Sequence, residues 1–70
     1  MNKRDSLLRD PLNKEVYDFV SKNYGCSSRD VAANFPEYDA YDIYLSLRKL
    51  SGYATRPVCK RYKTTCWEAL

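Results

Sequence analysis

The pattern of apolar residues changes at Gly52, and this change constrains the fold more than any other feature of the sequence. Before Gly52, apolar residues recur every three or four positions, as they do on one face of an α-helix. After it, β-branched and aromatic residues alternate with polar ones, as they do in strands. With 70 residues, we expect both patterns to belong to one small domain. The sequence therefore predicts an α+β fold with helices first and strands last.

The first predicted helix covers roughly residues 11–24. Asp10 can accept a hydrogen bond from a free backbone N–H at the helix start, and Pro11 tolerates the first helical position. Gly25 is a typical C-terminal stop. Its apolar residues follow the helical period, and they are Leu12, Val16, Phe19 and Val20. We interpret residues 1–10 as a flexible N-terminal arm, and residues 11–70 as the folded domain.

Two further helices are predicted from capping signals. Ser27 and Asp30 have the spacing of a capping box and precede a short helix that ends before Pro36. Asp39 and Asp42 repeat that spacing before a third helix, which ends at Gly52. The buried stripe of the third helix is expected to be Ile43, Leu47 and Leu50, at positions i, i+4 and i+7.

A β-hairpin is predicted after Gly52, with its tip within the basic stretch of residues 60–63. Pro57 fits an edge strand or a bulge. Cys59 and Cys66 would be cross-strand neighbours if the loop were Tyr62 and Lys63, and an oxidised crosslink or a redox switch is then conceivable. A reduced thiol that packs as a small apolar group is the commoner outcome. Trp67 is expected to fold back over the helices.

The residue types argue against an enzyme. Histidine is absent, so pairs of serine or cysteine with histidine are excluded. The three cysteines lack the spacing of common zinc sites. We therefore expect no catalytic residues, no metal and no cofactor. The sequence also lacks both a run of about 18 apolar residues and a signal-peptide core, so we expect a cytoplasmic protein without a membrane partner.

Charge divides the chain into two unequal parts. Residues 1–43 carry six basic and eight acidic side chains, whereas residues 44–70 carry six basic side chains and Glu68 alone. The net charge is thus −2 in the first part and +5 in the second. Positive charge concentrated at the end of the third helix and on the hairpin suits a phosphate backbone. A solvated basic face that only aids solubility is the alternative.

Three helices followed by a basic hairpin are the elements of a winged helix-turn-helix. Residues 28–35 resemble the first helix of that motif, residues 38–57 (YDAYDIYLSLRKLSGYATRP) resemble a recognition helix that leads into the first wing strand, and residues 60–70 (KRYKTTCWEAL) resemble the wing tip and last strand. Over about residues 12–68, the chain is similar to the small winged-helix regulators of fimbrial operons, the FaeA/PapI-like family, and more loosely to short phage and plasmid regulators. Two features differ from that family's usual pattern, the single residue between Leu50 and Gly52 and the Tyr62 tip, which lacks glycine. The resemblance implies sequence-specific binding of double-stranded DNA, often beside a second DNA-binding protein.

Under this hypothesis the third helix contacts the major groove and the wing holds the backbone or the minor groove. The expected DNA-binding residues are Tyr41, Leu45, Arg48 and Lys49 on the helix, Arg56, Lys60, Arg61, Tyr62 and Lys63 on the wing, and Ser28 and Arg29 at flanking phosphates. One small domain offers limited contact area, so specific affinity is expected to need a homodimer or a neighbouring protein.

A second hypothesis comes from the acidic start of the third helix, which would repel phosphates. Tyrosine, leucine and arginine also form hot spots of protein interfaces. The chain would then be a phage-like inhibitor or adaptor that binds a host protein on a winged-helix scaffold. Its expected binding residues are Tyr38, Asp39, Tyr41, Asp42 and Leu45. A domain without a ligand of its own is the third interpretation.

Overall fold

The computed structural model describes residues 2–61 and 64–70. These residues form four helices and three strands in an α+β arrangement. In chain order they are α1 (Lys3–Leu7), α2 (Pro11–Lys22), β1 (Cys26–Ser27), α3 (Ser28–Asn34), α4 (Ala40–Leu50), β2 (Thr55–Arg61) and β3 (Thr64–Ala69). The strands form one antiparallel sheet with the order β1-β3-β2.

The three predicted helices correspond to α2, α3 and α4, and each begins at the capping residue expected from the sequence. The Asp10 carboxylate accepts from the backbone N–H of Leu12 at 2.9 Å. Ser27 and Asp30 form the reciprocal capping box, because each side chain accepts from the backbone N–H of the other, at 3.1 and 3.0 Å. Asp39 caps α4 by accepting from the backbone N–H of Tyr41 at 3.4 Å. Helix α2 ends at Lys22, two residues earlier than predicted.

Residues 3–7, expected to belong to a flexible arm, instead form helix α1. Asn2 caps this helix by accepting from the backbone N–H of Asp5 at 2.8 Å. Arg4 donates to the hydroxyl of Tyr17 in α2 at 2.9 Å, and Leu7 packs against the core. A helix this short depends on tertiary contacts rather than on its own periodicity, so the sequence of the segment alone gave no signal for it.

Strand β1 was not predicted, because two residues carry no periodic pattern. Cys26 lies in this strand opposite Trp67, and Ser27 lies opposite Cys66. Gly25 precedes it with a φ of +76°, a conformation that favours glycine. The short strand ties the start of α3 to the centre of the sheet.

The hairpin of β2 and β3 follows the prediction. Cys59 lies opposite Cys66, and both side chains are present as thiols. Pro57 lies in the edge strand β2 beside a shift of register, which agrees with the edge or bulge position expected for it. Arg61 pairs with Thr64 through their backbones, so two residues connect the strands. Those two, Tyr62 and Lys63, lie outside the described residues.

The core lies between the three longer helices and the sheet. Leu12 and Phe19 of the predicted α2 stripe are only half-buried at the edge of this core, whereas its buried members include Val16 and Val20 of α2, the whole predicted stripe of α4, and Trp67, which closes the core from β3 as expected. The buried members are Val16, Val20, Cys26, Val31, Phe35, Ile43, Leu47, Leu50, Ala54 and Trp67. Within the described residues, no helix has both the length and the apolar character needed to cross a membrane.

Candidate nucleic-acid interface

Helix α4 exposes a continuous stripe on the side away from its buried residues. Tyr41 is 65% exposed and Tyr44 is 39% exposed, Arg48 is exposed, and Leu45 is half-buried. These four residues, which we call the α4 face, have the spacing i, i+3, i+4 and i+7 and so lie along one side of the helix. The predicted residues Tyr41, Leu45 and Arg48 are therefore brought together. Tyr44 was missed, although its position three residues after Tyr41 places it on the same stripe.

Lys49, which was also predicted to bind DNA, lies outside the α4 face. It lines a recess between helices, together with Lys3 and Ser6 of α1 and Asn13 of α2. On the helical wheel Lys49 is one step beyond Leu45, whereas Tyr44 lies on the opposite margin of the stripe. Lys49 therefore faces the α1 side of the molecule and not the hairpin.

Tyr44 is one wall of a surface cleft where α3, α4 and β3 meet. The other lining residues are Ser28, Arg29, Thr64 and Thr65, and we call this surface the Arg29 cleft. Arg29 is exposed there, and no described residue forms an ion pair with it. Hydroxyl groups and a guanidinium group therefore converge at the cleft, and these are hydrogen-bond donors that suit an anion.

Ser28 has a structural role at the base of this cleft. Its hydroxyl accepts from the indole Nε1–H of Trp67 at 2.9 Å and donates to the carbonyl of Thr65 at 3.4 Å. These bonds hold the start of α3 against β3. Of the two predicted phosphate contacts, Ser28 thus positions the cleft, and Arg29 presents the charge.

On the hairpin, the predicted basic residues differ in their surroundings. Arg56 forms a cross-strand ion pair with Glu68, so its charge is partly compensated within the protein. Lys60 is exposed and lies opposite Thr65 of the cleft. The Arg61 side chain and all of Tyr62 and Lys63 lie outside what the structure describes. Lys60 is therefore the predicted wing cation that the described residues place beside the cleft.

The start of α4 is acidic and exposed. Asp39 and Asp42 are both exposed, as is Glu37 just before them. Asp39 also caps the helix, so its carboxylate has a structural role. Tyr38, predicted as a protein-binding residue, is half-buried, and its ring packs edge-on against Phe35 with centroids 6.4 Å apart. Of the predicted protein-binding set, Tyr41, Asp42 and Leu45 remain the surface available on this side.

Cys26 is buried as a member of the core, and its thiol is poorly suited to act as a nucleophile. Burial raises the pKa of its thiol, and the nearby Asp30 carboxylate raises it further. The thiol therefore stays protonated at neutral pH, the form that reacts poorly.

Comparison of the chain with protein-family models, with curated proteins and with solved structures found no match. The function must therefore be argued from the α4 face, the Arg29 cleft and the hairpin themselves.

Proposed function

We propose that this protein is a winged-helix regulator of transcription that binds double-stranded DNA. The element order supports this proposal, because α3 and α4 are joined by the short connection 35–39 and are followed by the hairpin of β2 and β3. In this assignment α4 is the recognition helix and the hairpin is the wing.

The observation that carries the proposal is the meeting of the α4 face with the Arg29 cleft. Tyr44 belongs to both, so one continuous surface runs from Arg48 across Tyr44 to Arg29 and Thr65. Cations and hydroxyl groups suit phosphate oxygens, while arginine also pairs with guanine edges in the major groove. The excess of positive charge in residues 44–70 supports the same partner.

The wing is expected to supply part of the electrostatic attraction. We expect a variant with Lys60→Ala, Arg61→Ala and Lys63→Ala to bind a duplex of randomised sequence more weakly than the unchanged chain. The slope of log affinity against log salt is negative, and each lost phosphate contact makes it less steep by about 0.9. The three substitutions together should therefore make it less steep by up to about 2.7. Fluorescence anisotropy between about 50 and 200 mM salt measures this.

The matched control carries Lys3→Ala, Lys14→Ala and Lys22→Ala, which remove the same charge from α1 and α2. Its salt slope should stay near that of the unchanged chain. Equal slopes for the wing variant and the unchanged chain would remove the wing from the proposed interface. If the unchanged chain does not bind the duplex even at about 50 mM salt, the DNA-binding proposal itself is overturned.

A second candidate function rests on the exposure of Tyr41 beside Asp42. An exposed tyrosine next to carboxylates that form no ion pair with a described residue suits a basic protein surface, as an adaptor or a phage-like inhibitor of a host protein would need. Changing both Asp39 and Asp42 to asparagine separates the two functions. The change should preserve or strengthen DNA binding, whereas it should weaken capture of a protein partner.

A further inference from the structure

Helix α4 carries opposite charges at its two ends. Glu37, Asp39 and Asp42 lie at its start, and Arg48 and Lys49 lie in its last turn. At a rise of about 1.5 Å per residue, Arg48 lies about 14 Å along the axis from Asp39, and its distance from Asp42 is about 9 Å. Both distances exceed the Debye length of about 8 Å at physiological ionic strength. A phosphate at one end therefore responds chiefly to the charges of that end.

The acidic end is not neutralised by its surroundings. Among the described residues, no ion pair reaches Glu37, Asp39 or Asp42. The hydrogen bond from the backbone N–H of Tyr41 fixes the Asp39 carboxylate at the first turn. DNA phosphates brought against this end would meet carboxylates without compensating cations.

The basic end continues onto neighbouring elements. Arg48 follows Tyr44 by one turn, and Tyr44 leads into the Arg29 cleft. None of the described residues that line this cleft is acidic. Lys60 extends the same surface onto β2, since it lies opposite Thr65. Cations from three different elements, α3, α4 and β2, therefore border one surface.

We infer that duplex DNA lies across the C-terminal half of α4, the Arg29 cleft and the part of β2 around Lys60, while the acidic start of α4 stays outside the groove. This inference rests on the proposed DNA-binding function and specifies how the duplex is oriented. It differs from the usual helix-turn-helix arrangement, in which the N-terminal residues of the recognition helix contact the base edges. Tyr44 and Arg48 are then nearer to the DNA than Asp39 and Asp42.

Neutralising single charges tests this orientation in the full chain. Arg29→Gln and Arg48→Gln remove cations from the inferred contact surface, and Lys22→Gln removes one from α2 as a control. Asp39→Asn with Asp42→Asn neutralises the acidic end, and asparagine keeps the helix cap because it caps as well as aspartate does. Glu15→Gln on α2 is the matched control for loss of a carboxylate. Anisotropy with a randomised duplex over a salt titration gives the affinity and the salt slope of each variant.

We expect Arg29→Gln and Arg48→Gln each to make the negative salt slope less steep by about 0.9, and Lys22→Gln to leave it unchanged. The asparagine double variant should alter the dissociation constant by less than about threefold, as Glu15→Gln should, because screening isolates the acidic end from the bound phosphates.

Two results would overturn the inference while leaving DNA binding intact. One is tightening by about tenfold or more in the asparagine double variant, which would place the acidic end against phosphates. The other is a salt slope for both arginine variants equal to that of Lys22→Gln. Failure of the proposed function is distinguishable from these two results, because the unchanged chain itself then fails to bind duplex DNA.

Discussion

The side chain of Thr55 includes a group that lowers the stability of the folded state. Its side chain is fully buried where β2 begins, and its hydroxyl has no hydrogen-bond partner among the described residues. An unsatisfied buried hydroxyl destabilises the folded state, because it has lost its bonds to water without replacement. Its β-branched shape, however, suits a strand next to the core.

Replacing Thr55 with valine keeps that shape and removes the unsatisfied group. We expect Thr55→Val to raise the free energy of unfolding by about 1 kcal/mol, measured by urea denaturation. Thr65→Val, at a half-buried position of β3, is the control and should change stability much less. A loss of stability in Thr55→Val would mean that the hydroxyl has a favourable contact after all.

At the scale of elements, one buried polar contact connects α1, α2 and α4. The hydroxyl of Ser46 in α4 donates to the Oδ1 of Asn13 in α2 at 2.6 Å. The Nδ2 of Asn13 donates to the carbonyl of Leu7, the last residue of α1, at 3.0 Å. Asn13 therefore holds α1 and the proposed recognition helix in a fixed relation to α2.

Removing the Ser46 hydroxyl should weaken this connection. Ser46→Ala leaves the Oδ1 of Asn13 buried without its donor, and we expect a loss of about 1–3 kcal/mol in the free energy of unfolding. Ser21→Ala, on the exposed side of α2, changes the same residue type at the surface and should be nearly neutral. Urea denaturation measures the free energy of unfolding of both variants. Equal values for Ser46→Ala and the unchanged chain would show that the contact does not contribute to stability.

The sequence also predicted these elements to different degrees, for physical reasons. The caps at Asp10, Ser27 and Asp39 act on the next few residues, so α2, α3 and α4 were visible in the local pattern. Helix α1 depends on the distant Tyr17, and strand β1 depends on its pairing with Trp67. Contacts between residues far apart in the chain leave no periodic signal.

The same limit applies to the candidate site. The stripe of Tyr41, Leu45 and Arg48 followed from helical spacing, and Arg29 was correctly placed at a helix start. The Arg29 cleft was not predicted, because it forms only when β3 packs beside α3 and α4. Likewise, the pairing of Glu68 with Arg56 was not predicted, because it depends on the strand register.

For the whole molecule, folding brings cations from both parts of the chain to one surface and leaves others elsewhere, since Lys49 faces α1 and Arg56 pairs with Glu68. The α4 face, the Arg29 cleft and Lys60 adjoin one another, whereas Lys14 and Lys22 lie on α2 and Lys14 pairs with Asp18. The surface shared by α3, α4 and the hairpin is therefore the proposed binding surface for duplex DNA.

Nuclear magnetic resonance is the decisive test of this binding surface, because in a chain of this size it reports both binding and its location. The backbone amide resonances are followed while a duplex is added to the labelled protein at low salt. We expect shifts at Arg29, Tyr44, Arg48 and Thr65 that reverse when salt is raised, with little change along α2. An unchanged spectrum, or shifts confined to α2, would contradict it.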